Sequence, residues 1–264
     1  MFTIDKYVVA GSLEEAYELN KSRRNAIIGG MLWMRMGRKK ISTAIDLSAL
    51  NLNKIEEDNE SFRIGCMCTL RDLETHESLN KCFNSVLCKS LKHIVGVQMR
   101  NLATIGGSIR SRFGFSDILT VLLSLDSYVE LFKGGIVPLS EYVSMPLDND
   151  ILVKIIIKKD GRISSYNSHR MSATDFPVLT CAVANKENEW FVVVGARPMK
   201  GVLRTFTLDE NYKKDNIDKA VSGVIDSISF GTNIRGSREY RQILADALIK
   251  RGIDEILNGG YYAD

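Results

Sequence analysis

Histidine, proline and cysteine are all scarce in this 264-residue chain, which carries three, four and five of them respectively. Three histidines are too few for a His-rich metal centre, and no metal site is expected. Four prolines leave long stretches open to regular secondary structure. The cysteines are odd in number and form no C-x-x-C pair. Cys66 and Cys68 make a C-x-C, and Cys82, Cys88 and Cys181 are scattered; this matches neither zinc nor iron–sulfur ligand spacing. Free thiols in a reducing cytoplasm are the expectation. An excess of one charge is also missing: 35 Lys and Arg stand against 32 Asp and Glu, for a net +3. That balance argues against nucleic acid or a membrane surface as partner. Long apolar runs are absent too. The strongest, Ile118 to Leu125, is broken by Thr120 and Ser124 and falls far short of the ~18 residues that span a bilayer. The opening MFTIDKYVVAGSLEEAYEL lacks the basic start and apolar stretch of a secretory leader, so none is expected.

What is present is an ordinary globular composition, 45% hydrophobic and 25% charged. The length suits one large domain or two smaller ones, at ~150 residues each. Ser12-Leu13-Glu14-Glu15 is a capping-box pattern, and Leu13, Ala16 and Leu19 share one face of the helix it starts. Asn25 to Ile28 reads as a buried strand running into Gly29-Gly30, Met31 to Met36 as helix-like, and Ser42 to Leu47 as the next strand. Lys54 to Ser61 is a polar break. Phe62 to Cys68 alternates as a strand, and Thr69 to Leu79 and Phe83 to Ile94 read as helices, which place His76 and His93 in structural roles. Gln98 to Thr104 reads as extended, interrupted by Gly106-Gly107. A helix is expected over Asp117 to Leu125, and strands over Ser127 to Phe132 and Ile151 to Lys158. After the turn Lys159-Asp160-Gly161 come three strands: Arg162 to Tyr166, Val178 to Asn185 and Trp190 to Ala196. Beyond Gly201 the pattern is helical, over Ile217 to Ile228 and Ser237 to Leu257. The expected class is α+β, ending in a three-stranded antiparallel sheet with helices.

Two features carry chemistry: Ile28-Gly29-Gly30 and Thr104-Ile105-Gly106-Gly107-Ser108. A Gly-Gly turn can present backbone N–H groups to an anion without Cβ crowding. A tight turn with no ligand is the competing reading of either pair alone. Neither fits G-x-G-x-x-G or G-x-x-x-x-G-K-[ST], so neither a dinucleotide-binding fingerprint nor a P-loop is supported.

The run Met99-Arg100-Asn101-Leu102-Ala103-Thr104-Ile105-Gly106-Gly107-Ser108-Ile109, followed by Ser116-Asp117 and an apolar helix, resembles the second FAD motif of a known family. That family is the FAD-binding medium subunit of molybdenum hydroxylases, of xanthine dehydrogenase and carbon monoxide dehydrogenase type. Ile27-Ile28-Gly29-Gly30 falls where the family has its first FAD loop. Ile45-Asp46-Leu47, Arg63-Ile64-Gly65 and Thr69-Leu70 follow its order, and Arg170 to Ala184 and Arg235-Gly236-Ser237 resemble its C-terminal domain. The resemblance implies a two-subdomain FAD-binding fold like that of vanillyl-alcohol oxidase over residues 1–160, divided near 55/56, and a C-terminal domain over 161–264. It implies FAD held by Ile28, Gly29, Gly30, Met31 and Leu32 in one loop and Ala103, Thr104, Gly106, Gly107 and Ser108 in the other. Asp117 would meet the ribose or ribityl side and Leu152 the isoalloxazine, with no catalytic acid or base in this chain. Tyr166 reads either as a flavin neighbour or as a sheet tyrosine, and Arg170 as a contact to a flavin edge or a partner subunit or as a salt-bridged surface arginine. The implied partners are a molybdenum-cofactor large subunit and a [2Fe–2S] small subunit, with NAD as acceptor. One departure stands out: the family's first loop often places Ser or Thr after Gly-Gly, and here Met31 follows. A subunit of the same fold that serves assembly and binds FAD weakly is the alternative.

Overall fold

The computed structural model describes residues 2–209 and 213–258. They divide into two units built from separated stretches of chain. The first comprises Met1–Leu73, Val97–Ser111 and Ser127–Ile157; the second comprises Glu74–Gly96, Arg112–Asp126 and Lys158–Asp264.

The chain begins with β1 (Thr3–Val9), α1 (Leu13–Asn20), β2 (Ala26–Ile28), α2 (Leu32–Met36) and β3 (Lys40–Asp46). The strands form a parallel sheet of order β1-β3-β2, which requires crossovers, and the two helices supply them. Ser12 caps α1 by accepting from Glu15 N at 3.1 Å, while the Glu15 carboxylate accepts from Gly11 N at 2.8 Å. Next come β4 (Ile55–Glu57), β5 (Ser61–Gly65), α3 (Leu70–Thr75), α4 (Glu77–Cys82), α5 (Val86–Leu91), α6 (Val97–Arg100), α7 (Ile105–Ser111) and α8 (Asp117–Ser124). β6 (Ser127–Leu131), β7 (Gly135–Pro138), α9 (Leu139–Ser144) and β8 (Leu152–Lys158) complete a second sheet, of order β4-β5-β8-β6-β7. Its inner face buries Phe62, Ile64, Val129, Ile155 and Ile157 completely.

The rest of the chain adds β9 (Ile163–Arg170), β10 (Pro177–Lys186), β11 (Glu189–Gly195), β12 (Val202–Thr207), α10 (Lys214–Asp226) and α11 (Arg238–Leu257). The four strands form an antiparallel meander, β12-β11-β10-β9. One face packs Leu179, Cys181, Val183, Trp190, Val192 and Val194 against apolar residues of α10 and α11. α8, buried at every position, packs on β10 and β11. Coverage of both faces explains why Pro177 to Ala184 is buried throughout instead of alternating.

Several expectations are corrected. The C-terminal sheet has four strands, not three, because Val202–Thr207 is an edge strand rather than helix. The polar break at 54–61 contains β4, whose two glutamates suit an exposed edge. Residues 69–79 form two helices, since His76 takes an extended backbone and caps α4 by accepting from Leu79 N. Residues 83–94 contribute only α5. Gln98 lies in α6, not in an extended segment, and Gly106-Gly107 lie inside α7, not in a turn. Among the described residues no helix is long and apolar enough to cross a membrane.

Arg241 on α11 is fully buried and ties the 231–236 loop to β10. Its guanidinium donates to the carbonyls of Val178 (3.0 Å), Gly231 (2.8 Å) and Gly236, and to Asn233 Oδ1 (2.6 Å). Arg241→Met strands these acceptors in the interior. Its unfolding free energy in urea is expected to fall by about 3 kcal/mol or more, with Arg241→Lys intermediate.

Candidate functional site

The first glycine loop follows β2 and packs directly on the backbone that leads into α7. A Cβ on Gly30 would stand 1.9 Å from the Leu102 carbonyl oxygen, and one on Gly29 would stand 2.6 Å from Thr104 Oγ1. Only glycine permits such an approach. A Cβ on Gly106 would stand 2.6 Å from the Cys66 carbonyl oxygen, so α7 is seated against the end of β5 in the same way. The sequence singled out both glycine pairs, and the structure brings them together.

Their backbone donors have different fates. Ile105 N donates to Cys68 O and Gly106 N to Cys66 O, both at 2.9 Å. Gly107 N donates to Thr104 Oγ1 at 3.2 Å, and Ser108 N and Oγ both donate to Thr104 O. The second loop therefore spends its donors on its own architecture. The N–H groups of Gly29, Gly30, Met31 and Leu32 have no hydrogen-bond partner among the described residues. Met31 turns the chain at φ 55° and packs its side chain on Ile28, Ile41 and Ala44 of the small sheet.

A cleft of about 460 Å³ opens within the first unit. Ile28, Gly29, Thr104, Gly106, Gly107 and Leu152 line it. Gly30, Met31, Leu32, Ala103 and Ser108 adjoin these residues in sequence without lining the cleft. Leu152 is buried and held by its approach segment. There Asn20 Nδ2 donates to Asn149 O (2.7 Å), Asn149 Nδ2 returns a bond to Lys21 O (3.1 Å), and Arg110 donates to Asp148 O. Sequence reasoning missed Asn20, Arg110 and Asn149. Arg110 could have been found, because it stands one helical turn beyond Gly107 in α7.

Asp117 belongs to the second unit. It opens α8, where Ser116 is the cap. Its carboxylate is buried and accepts from the Tyr166 hydroxyl and from Arg170 Nη2, while Arg170 Nη1 donates to Asp175 O at 2.6 Å. Arg170 is thus ion-paired, but its side chain is largely enclosed and does not lie at the surface, and Tyr166 sits within β9. Burial pushes the Asp117 carboxyl up, against the pull of the adjacent guanidinium and the Tyr166 hydroxyl. Burial, reinforced by Asp117, also pushes the Tyr166 hydroxyl well up, so it stays protonated and donates. Burial likewise pushes the Cys66 thiol, which backs Gly106, up to about 12 and Cys68 up to about 11, so both are neutral thiols at physiological pH. Arg170→Met leaves the Asp117 charge buried and unpaired, and is expected to cost about 3–5 kcal/mol in urea unfolding. Adding Asp117→Asn should recover part of that loss; strict additivity of the two substitutions would contradict the pairing.

Residues 2–159 match the family described as the FAD binding domain in molybdopterin dehydrogenase. The 6-hydroxypseudooxynicotine dehydrogenase complex subunit alpha of Paenarthrobacter nicotinovorans is 29% identical, with 96% of this chain and 94% of that protein covered. The uncharacterized protein YgfM of Escherichia coli K12 is 26% identical, with 93% and 94% covered. In fold, the chain is similar to a chain of the reconstituted CO dehydrogenase from Oligotropha carboxidovorans, with TM-score 0.85, 18% identity, and 98% and 99% of the two chains covered. It is similar as well to a chain of quinoline 2-oxidoreductase from Pseudomonas putida 86, with TM-score 0.83, 19% identity, and 98% and 99% covered. With more than half of its length matched, this chain belongs to the family of FAD-binding domains of molybdopterin dehydrogenases.

Proposed function

We propose that this chain is the FAD-binding electron-transfer subunit of a multi-subunit molybdenum hydroxylase in the cytoplasm. In this reading it takes electrons from a [2Fe–2S] partner and passes them to NAD or another acceptor, as xanthine dehydrogenase-type enzymes do. The observation that carries the reading is the run of four unspent N–H groups over Gly29 to Leu32, the first of which, Gly29, lines the glycine-walled cleft. A diphosphate needs several donors at once, and backbone N–H groups supply them without flexible side chains. FAD, when bound, supplies a redox centre able to exchange electrons singly or in pairs.

The residues of the chain bind and orient. Gly29 to Leu32 would donate to the diphosphate. Thr104, Gly106 and Gly107, with Ala103 and Ser108 behind them, would form the wall that fixes the first loop. Leu152 would present an apolar face to the ring system. We take residues 1–160 as the FAD-binding domain, with two subdomains resembling those of vanillyl-alcohol oxidase, and 161–264 as the C-terminal domain. The partner reading, a molybdenum-cofactor large subunit and an iron–sulfur small subunit, is supported by two relatives named as parts of larger assemblies. These are the dehydrogenase complex subunit alpha above and the nicotine 6-hydroxylase medium subunit, which is 23% identical. Substrate choice would then rest with the large subunit.

The test is FAD titration into the purified chain and into the complex reconstituted with its partners, followed by visible absorption. The flavin spectrum is expected to red-shift and sharpen on binding. Gly30→Ala, which drives a methyl into the Leu102 carbonyl, should weaken FAD at least about tenfold. Gly223→Ala, with open space around it on α10, should not. A complex that assembles but never takes up FAD would overturn the reading in favour of a purely architectural subunit.

A further inference from the structure

The cleft carries more positive charge than its carboxylates balance. Arg23 precedes β2, Lys39 precedes β3 and Arg110 sits on α7, and all three line it. Asp148 and Asp150 line it too. The Asp150 carboxylate is occupied by the backbone N–H groups of Lys133 (3.1 Å), Gly134 (2.8 Å) and Ile151 (2.8 Å). Asp148 lies 3.5 Å from Arg110 Nη2 and accepts from Asp150 N at 3.1 Å. The side chains of Arg23 and Lys39 have no ion-pair or hydrogen-bond partner among the described residues. Arg110 Nη1 is buried and has none either.

A buried guanidinium nitrogen without an acceptor is costly unless a ligand supplies one. Unpaired cations around a concavity also concentrate anions there. Gly29, which opens the run of unspent N–H groups, borders the same cleft. The volume of about 460 Å³ falls in the range of small-molecule sites, ~300–1,000 Å³.

We propose that Arg23, Lys39 and Arg110 are side-chain ligands for a nucleoside diphosphate, the ADP half of the cofactor. The inference rests on the FAD-binding reading above and adds to it. Backbone N–H groups orient the diphosphate, and the three cations neutralise it. Arg110 works from a fixed position: Nη2 is anchored on the Asp148 segment, which leaves Nη1 to donate to an oxygen of the ligand. Arg23 and Lys39 are exposed and add attraction that salt can screen.

The experiment titrates ADP and FAD separately into this chain, alone and reconstituted with its partners, at low and high salt, with riboflavin as the phosphate-free control. The variants are Arg23→Gln with Lys39→Gln, and the charge-keeping pair Arg23→Lys with Lys39→Arg. Both positions are exposed, and melting temperature confirms folding. Each Gln substitution should weaken ADP and FAD by about two- to fivefold, the worth of an exposed ion pair. The salt dependence of the Gln pair should flatten, the charge-keeping pair should match wild type, and riboflavin should not respond. FAD bound equally by wild type and the Gln pair overturns the cation set and leaves the flavin reading standing. ADP bound in the expected charge-dependent way, with no FAD taken up by the chain or by the reconstituted complex, supports the cation set and overturns the flavin reading. A wild type that binds neither, alone or in the reconstituted complex, overturns both.

Discussion

The Gly30 backbone and the Leu102 carbonyl lie so close that a methyl group on Gly30 would stand 1.9 Å from the oxygen. The rest of the candidate site depends on that approach. It sets Gly29 against Thr104 and forces the chain to reverse at Met31, which accepts a left-handed backbone to do so. A reversing loop cannot pair its N–H groups with a strand, and it does not pair them with a helix until α2 is under way. Four donors are left over as a consequence of geometry, before any ligand is considered. The second contact of this kind, Gly106 on Cys66, seats α7 and so fixes the surface against which the first loop closes. Two neutral buried thiols beside it leave the seat free of added charge.

The second unit handles polarity differently. Arg241 is fully enclosed, yet every acceptor it reaches is a carbonyl or amide oxygen, so it works as a multi-armed clamp and not as half of an ion pair. Asp117, Tyr166 and Arg170 form an ionic cluster at the head of α8. Burying such groups gains little net stability, because desolvation offsets attraction. What it supplies is a penalty for any other packing: α8 or β9 slipped by one residue would strand a charge in the interior.

Much of this was legible in the sequence, for identifiable reasons. α1, α8 and α11 announce themselves by a serine cap ahead of an apolar pattern, and each serine accepts the bond expected of it. β2 and β3 show as short apolar runs. Legibility failed where tertiary context overrode local pattern. Residues 69–79 look continuous, but the His76 ring takes the Leu79 N–H and starts a new helix. β12 has Arg204 in its middle and shows no strand pattern of its own; it forms because β11 offers an edge, and Arg204 then reaches the Ser227 carbonyl at 2.9 Å. The glycine pairs were visible in sequence, but their division of labour was not. Whether an N–H is spent depends on which carbonyl lies opposite, and Cys66 and Cys68 are placed opposite α7 by the fold alone.

Met31 has a different meaning in the sequence and in the fold. Read as sequence, it replaces a hydroxyl in a diphosphate loop, a loss of about 1.5–3 kcal/mol for one bond to a charged group. In the structure its side chain is committed to the small sheet, packed on Ile28, Ile41 and Ala44, while its N–H is among the unspent donors. The donor set is a property of the backbone path, and the path is held by glycines and by apolar packing that methionine itself strengthens. A hydroxyl at that position would add one donor and give up the anchor. Methionine keeps the loop's shape, and in the proposed reading the anion would be held by the backbone and by the cations around the cleft.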